Sequence, residues 1–190
     1  MLCDLTKEGA ILDKELVQGV LYDRILQHIR DAKARKLAHP GLVLRRVTWR
    51  LIRDVLANPC ELGQVDESEA RRLWAALGDE VWLVDRDAKR SDVLIHRSDI
   101  RRLMLRLMAK DELGRTPPRT AKRSSRDQPA PRTGAAVARD IHRRALAYYT
   151  DRRDPSDVVA IAEAEAFYHR MMLVDHAGAA SVLRRPSAAI

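Results

Sequence analysis

The chain has 190 residues, of which 46% are hydrophobic and 33% charged, so it can form a packed core plus a smaller module. Its net charge of +8 leaves nucleic-acid binding open, whereas two cysteines, Cys3 and Cys60, are too few for a disulfide framework or a zinc-binding spacing. No apolar run reaches the length of a bilayer span and the first residues lack a signal-peptide pattern, so we expect a cytoplasmic protein that does not contact a membrane.

The first third of the chain has a helical pattern. Residues 11–30 carry apolar side chains at a helical period, and the helix that follows is predicted to stop near His39, because Pro40 and Gly41 end helices. The apolar run LVL comes next, and it fits either a short strand or a turn packed on the core. Thr48 is placed to cap another helix, which ends before Pro59.

The following stretch has the order of a winged helix-turn-helix. A helix is predicted after Asp66 or Ser68, either of which suits the cap position, and Gly78 marks its end. Two apolar runs, at residues 82–84 and 93–95, flank a charged turn, and a helix opens at Ser98. We therefore predict a mainly α fold over residues 11–110, in which a helical linker precedes a winged helix-turn-helix with a two-stranded β wing.

The last third is predicted to be a linker, a helix pair and a tail. Residues 111–134 are rich in Pro, Ser, Thr and Arg with no apolar repeat, which predicts a basic disordered linker. Two helical patterns in residues 135–176, joined by a short polar turn, are typical of one TPR-like helical-repeat unit, which cannot bury its apolar face alone. Residues 177–190 are predicted to fray.

Motifs for catalysis are missing from the sequence. It contains no P-loop GxxxxGK[ST], GxGxxG, HExxH or GxSxG pattern. None of its histidines pair at the i, i+4 spacing, and His169 and His176 lie about two helical turns apart with no third ligand nearby. We therefore expect a protein that is not an enzyme, with no metal site and no cofactor bound by the chain itself.

The positions of the charged residues argue against a helix of this chain binding in a DNA groove. The helix after Asp66 occupies the position of a recognition helix, but its acidic residues outnumber Arg71 and Arg72, and an acidic helix is repelled by phosphates. The wing offers Arg86, Lys89 and Arg90 but carries three aspartates as well. The alternative function, a winged-helix nucleic-acid-binding protein, therefore depends on the basic linker, with Arg119, Lys122, Arg123 and Arg126 as its candidate contacts.

A family resemblance enters at His96. The sequence VLIHRSDIRRLML, residues 93–105, resembles the end of the winged-helix domain in STAND-type NTPases, the signal-transducing relatives of the AAA proteins. In that family a strand runs into a helix through a Met-His-Asp motif. Here Ile95 stands at the Met position, His96 matches, and Arg97 stands at the Asp position with Asp99 two residues further on. The resemblance implies that His96 contacts a phosphate of ADP when a nucleotide-binding partner is present.

The resemblance spans Val17 to Leu173 except for the linker. The stretches LYDRILQHI, LAHPGLVLRRVT, IHRRALAYY and EAFYHRMML are similar to the helical-linker, winged-helix and first helical-repeat segments of large bacterial members. The P-loop core of the family is missing, which predicts a stand-alone adaptor or a split or truncated member. The expected function is thus a regulatory module in signal transduction that contacts a protein partner, with an NTPase core as a candidate. ADP or ATP would be bound only in complex with a P-loop partner.

Overall fold

A computed structural model describes residues 26–114, 134–151 and 154–174. After a helical turn at residues 26–28, this part of the chain contains six α-helices, one π-helical segment and three strands. In chain order they are α1 (Ala32–Gly41), β1 (Arg46–Val47), α2 (Trp49–Leu51) with its π-helical continuation (Ile52–Leu56), α3 (Glu67–Gly78), β2 (Val84–Arg86), β3 (Leu94–His96), α4 (Ser98–Gly114), α5 (Gly134–Thr150) and α6 (Val159–Leu173).

The first helix begins and breaks where local chemistry requires it. The Asp31 side chain accepts the N–H groups of Lys33 and Ala34 at 2.8 and 2.9 Å, which caps α1. The predicted stop near His39 is confirmed, because this residue leaves helical geometry at φ −135° and ψ 110°. The LVL run that follows forms a buried turn on the core and not a strand.

The next two helices begin at caps that the sequence indicates. The side chain of Thr48 accepts the N–H of Leu51 at 3.3 Å, as predicted. The π-helical turns after α2 were not predicted. Of the two candidate caps for α3, the structure uses Asp66, whose carboxylate accepts the N–H of Glu69 at 2.8 Å. The helix ends at Gly78 as predicted.

The sheet has three strands where the sequence predicts two. All pairings are antiparallel in the order β1-β3-β2, and Leu94 of β3 lies between Val47 and Arg86. The two predicted strands are present, each displaced by one or two residues toward the C-terminus. The sequence misses β1 because a two-residue strand is too short to show an alternating pattern. The fold is therefore mainly helical with a small three-stranded antiparallel sheet.

Helix α4 opens at Ser98, as predicted, and continues through Gly114 into the segment that the sequence assigns to the linker. The rest of that predicted linker, residues 115–133, lies outside the described residues. The same is true of residues 11–25 at the predicted first helix and of residues 175–190, which include the predicted tail.

The helix pair shares one core with the first part of the chain. Helices α5 and α6 pack on each other, and α5 also contacts α1, α4 and the π-helical segment. The α5 side chains of Ile141, Ala145 and Tyr148 are almost completely buried in a cluster with Leu37, Leu56 and Met104. This burial explains how a pair with an apolar inner face is stabilised, because the first part of the chain covers that face.

Candidate functional site

His96 is the last residue of β3 and stands two positions before α4. It is 4% exposed, and its Nδ1 lies 2.8 Å from the carbonyl oxygen of Leu44. Because a carbonyl only accepts, Nδ1 carries the proton and donates it. Burial lowers the pKa of His96 to about 4, so at neutral pH the ring is uncharged and its Nε2 carries a lone pair.

A cavity of about 590 Å³ lies beside His96. Its wall includes four arginines, Arg45, Arg101, Arg102 and Arg106, together with His96 and Leu105. Within the part of the chain that the structure describes, no carboxylate belongs to this wall, and the Nε2 of His96 has no hydrogen-bond partner. Asp99, the nearest acidic residue to the motif, lies 4.0 Å from Arg97 and outside the wall. The cavity is therefore a cationic site.

Two of the four arginines are held by the fold. The Nε of Arg101 donates to the Leu42 carbonyl at 2.8 Å and its Nη2 donates to the Val43 carbonyl at 2.9 Å. Arg45 forms an ion pair with Glu165 of α6 at 3.1 Å, and its guanidinium lies 4.2 Å from the centre of the Tyr168 ring. These contacts fix both charges in place and join the cavity to α6.

The other two arginines face solvent. Arg102 and Arg106 are exposed, and neither forms an ion pair or a hydrogen bond with any residue in the described ranges. They lie one helical turn apart on α4. The sequence places Arg101, Arg102 and Arg106 together on one face of this helix, but it gives no sign that Arg45 and His96 complete a cavity with them, because that depends on the packing of β1 and β3.

The arginines of α3 are paired with acids of the fold. Arg71 contacts Glu67 at 2.8 Å, while Arg72 contacts Glu69 at 2.7 Å and Asp31 at 2.5 Å. Hydrogen bonding from Arg72 lowers the pKa of Glu69 to about 2, so that carboxylate stays ionised at neutral pH. The surface of α3 therefore carries little uncompensated positive charge for a nucleic acid to meet.

The β2–β3 turn is tied to the loop between α5 and α6. Arg90 in the β2–β3 turn is 15% exposed and lies 2.5 Å from Asp157. Its guanidinium also donates to the Ser156 carbonyl at 3.0 Å, and it pairs with Asp92 at 2.7 Å. Of the three basic residues predicted to lie in a wing, Arg90 is thus paired inside the molecule, and the guanidinium of Arg86 lies 5.0 Å from the centre of the Trp74 ring. Arg119, Lys122, Arg123 and Arg126 lie outside the described residues.

A buried histidine pair joins α5 to α6. The Nδ1 atoms of His142 and His169 are 2.8 Å apart, and the ring of Tyr149 stacks on His169 with centroids 5.9 Å apart. From the sequence, His169 was considered only together with His176, because both lie in the same helical pattern. The contact with His142 joins two different helices, so no local sequence pattern predicts it. Within the described ranges, no group of three or more His, Cys, Asp or Glu side chains is arranged to hold a metal ion.

Helix α6 is buried on one side and carries an apolar row on the other. Its inner side buries Ala162, Glu165 and His169. Its opposite side carries an outer stripe that consists of Ala160, Ala164, Phe167 and Met171 at the spacing i, i+4, i+7 and i+11. Phe167 is 47% exposed in the middle of this stripe. An apolar row on the face opposite the buried one is unusual for a helix at the surface, where that face is normally polar.

Neither a membrane-spanning helix nor a match to a known family adds to these observations. Among residues 26–114, 134–151 and 154–174, no helix combines the length and apolarity that crossing a bilayer requires. Comparisons with protein-family models, with curated proteins and with solved structures found no match to this chain. The functional argument therefore depends on the residues of the chain itself.

Proposed function

We propose that this chain is a non-catalytic regulatory module that binds a protein partner through the outer stripe of α6. The observation that carries the proposal is Phe167, a large aromatic side chain 47% exposed at the centre of an apolar row. The other face of the same helix is already buried, so this row does not serve the core that the structure describes. Exposed apolar patches of this kind mark protein interaction sites.

The occupant that fits the stripe is an amphipathic helix of the partner. The spacing i, i+4, i+7 and i+11 forms a straight apolar seam along α6, which is the surface that another helix packs against. Ala160 and Ala164 are small and allow a close approach at one end, while Phe167 and Met171 fill the space at the other. Helical-repeat proteins extend by stacking one helix pair on the next in this way.

The described fold supports the view that such a module acts as one unit. The observed order, in which helices are followed by the β2–β3 hairpin and α4, supports the winged-helix interpretation, to which β1 adds an unpredicted third strand. Arg90 of the wing and Arg45 beside β1 both bind residues of the helix pair, so a partner on α6 is physically linked to the wing and to the His96 cavity. This arrangement is what the gating part of a STAND-type NTPase would need.

The nucleotide contact expected of His96 applies only where a P-loop partner brings ADP or ATP. In the neutral ring Nε2 accepts a hydrogen bond and does not donate one. Contact with a phosphate oxygen therefore requires protonation of His96, which its burial opposes.

The test compares three forms of the chain. A protein that co-purifies with the unmodified chain is itself purified and titrated against the unmodified, Phe167→Glu and Val81→Glu chains. Val81 is 70% exposed outside the stripe and is the matched control. We expect the Phe167→Glu chain to bind at least about tenfold more weakly, because a charge at the centre of an apolar interface is desolvated without a partner. The Val81→Glu chain should keep the original affinity.

Equal affinity of all three chains would contradict the proposal. Circular dichroism of each variant confirms that the fold is retained.

Nucleic-acid binding is the second candidate function, and the net charge of +8 favours it. Its contacts would come from Arg119, Lys122, Arg123 and Arg126. A gel shift with duplex DNA at about 50 mM salt is the test, because the electrostatic term is strongest at low salt. The absence of a shift excludes this function. A shift that disappears when the four residues become glutamine supports it.

A further inference from the structure

We infer that the exposed arginine pair of α4, Arg102 and Arg106, docks a helix of a protein partner that presents two carboxylates four residues apart. The inference builds on the proposed protein partner, but the docking surface is formed by other residues than the outer stripe of α6. It assigns no role to His96 and brings no nucleotide to this chain.

The arginine pair carries positive charge that the described residues do not compensate. Both side chains are exposed, and neither forms an ion pair or a hydrogen bond within the described ranges. They stand four residues apart on one helix, a spacing at which like charges repel each other. Arg45 and Arg101, which other contacts of the fold hold in place, line the same cavity and add to the positive potential. An acidic partner would remove this repulsion.

The spacing of the arginine pair matches a second helix. Four residues rise about 6 Å along a helix axis, so two side chains at i and i+4 of a partner helix are separated by the same distance as Arg102 and Arg106. The planar fork of each guanidinium donates two hydrogen bonds to one carboxylate. Two glutamates at i and i+4 of the partner can therefore each pair with one arginine.

The lining of the cavity favours a protein segment over a nucleic acid. Leu105 precedes Arg106 on α4, and together with Ile95 it gives the cavity a partly buried apolar wall beside the charged groups. The volume of about 590 Å³ is ample for one aliphatic side chain. A partner helix that carries a leucine next to its glutamates can bury this side chain on the wall, whereas a sugar-phosphate backbone has no aliphatic group to place there.

The test is a calorimetric titration of the full chain at about 50 mM salt with two synthetic helical peptides. Each has about 20 alanine-rich residues, long enough for an isolated helix. The acidic peptide contains Glu-Ala-Ala-Leu-Glu at its centre, and the neutral peptide has glutamine in place of both glutamates. We expect the acidic peptide to bind the Arg102→Gln/Arg106→Gln chain about tenfold more weakly than the unmodified chain, because each of two ion pairs contributes a few-fold. The neutral peptide should not distinguish these two chains.

The matched control is the Arg97→Gln/Arg143→Gln chain. It loses the same amount of charge at exposed positions outside the cavity wall, so it should bind the acidic peptide as the unmodified chain does. An equal loss in this control would reveal unspecific attraction and overturn the inference. Thermal unfolding checks that the exposed substitutions leave the fold intact.

Three further results would also overturn the inference. They are the absence of saturable binding of the acidic peptide, equal affinity of the acidic and neutral peptides for the unmodified chain, and displacement of the acidic peptide by duplex DNA. The Phe167→Glu chain separates the two proposals. Its binding of the acidic peptide should be unchanged, and a loss there would place the peptide on the outer stripe of α6 and not on the arginine pair.

Discussion

The Nδ1 atoms of His142 and His169 lie 2.8 Å apart across the buried contact between α5 and α6. One ring must carry its proton on Nδ1 while the other accepts it, so the contact needs at least one neutral ring. Burial, the main cause, lowers the pKa of His142 to about 4 and that of His169 to about 3. These two histidines therefore stay neutral in the folded protein at pH values at which they are protonated in the unfolded chain.

We expect the fold to lose stability in mild acid for this reason. A histidine whose pKa is lowered by folding contributes its full stabilisation above its unfolded pKa of about 6.5 and loses it as the pH falls toward the folded value. The free energy of unfolding in urea should therefore drop by on the order of 3 kcal/mol between about pH 7.5 and pH 4.5. His142→Phe should make this dependence shallower. A wild-type free energy that is equal at both pH values would contradict the prediction.

Removal of Arg90 should loosen the contact between the β2–β3 turn and the loop that joins α5 to α6. The Arg90→Ala change leaves Asp157 half-buried without its cation, and burial already raises the pKa of this carboxyl. We expect a loss of about 2–3 kcal/mol in the free energy of unfolding, because a charge is left without its partner. Lys89→Ala is the control one residue away, and its exposed side chain should change stability by less than about 0.5 kcal/mol. A similar effect of both substitutions would show that the ion pair contributes nothing.

The two predicted caps of α3 can be separated by experiment. Asp66 accepts the N–H of Glu69, so Asp66→Ala should lower the free energy of unfolding by about 1 kcal/mol. Ser68 lies inside the first turn, and Ser68→Ala should be close to neutral because alanine is a better helix former. Chemical denaturation of the two variants measures the difference. The reverse order would mean that the helix begins at a different residue.

The thiol of Cys60 should be unreactive in the native protein. Its side chain is buried, and burial raises its pKa to about 12, so very little thiolate exists at about pH 8. We expect a thiol reagent to modify Cys60 only when the chain unfolds, with a rate that rises in urea. Peptide mapping identifies the modified position. Rapid native labelling at Cys60 would show that the segment after the π-helical turns opens readily.

Local signals in the sequence were sufficient where a single residue controls a boundary. Thr48, Asp66 and Gly78 act where the sequence places them because a cap or a stop needs only its own neighbours along the chain. The opening of α4 at Ser98 was predicted for the same reason. The strand β1 was not predicted, because its two residues are stabilised by pairing with β3, which is distant in sequence.

The site itself could be predicted only in part. The helical period puts Arg101, Arg102 and Arg106 on one face, and the resemblance marks His96. Neither shows that Arg45 faces them or that Arg90 is held by Asp157, since these contacts join residues far apart in the sequence and arise from packing. The outer stripe of α6 was not predicted, because only the structure shows which side of this helix is buried in the core.

One feature of the core has a consequence for how the chain tolerates cleavage. Ile141 and Tyr148 share an interior with Leu37 and Leu56, although residues 115–133 separate the two halves along the chain. Cleavage within that interval would leave each fragment with an exposed apolar surface that is complementary to the other fragment. The two polypeptides should then recombine in equal amounts into the parent structure, as complementing halves do, and neither should stay soluble for long by itself.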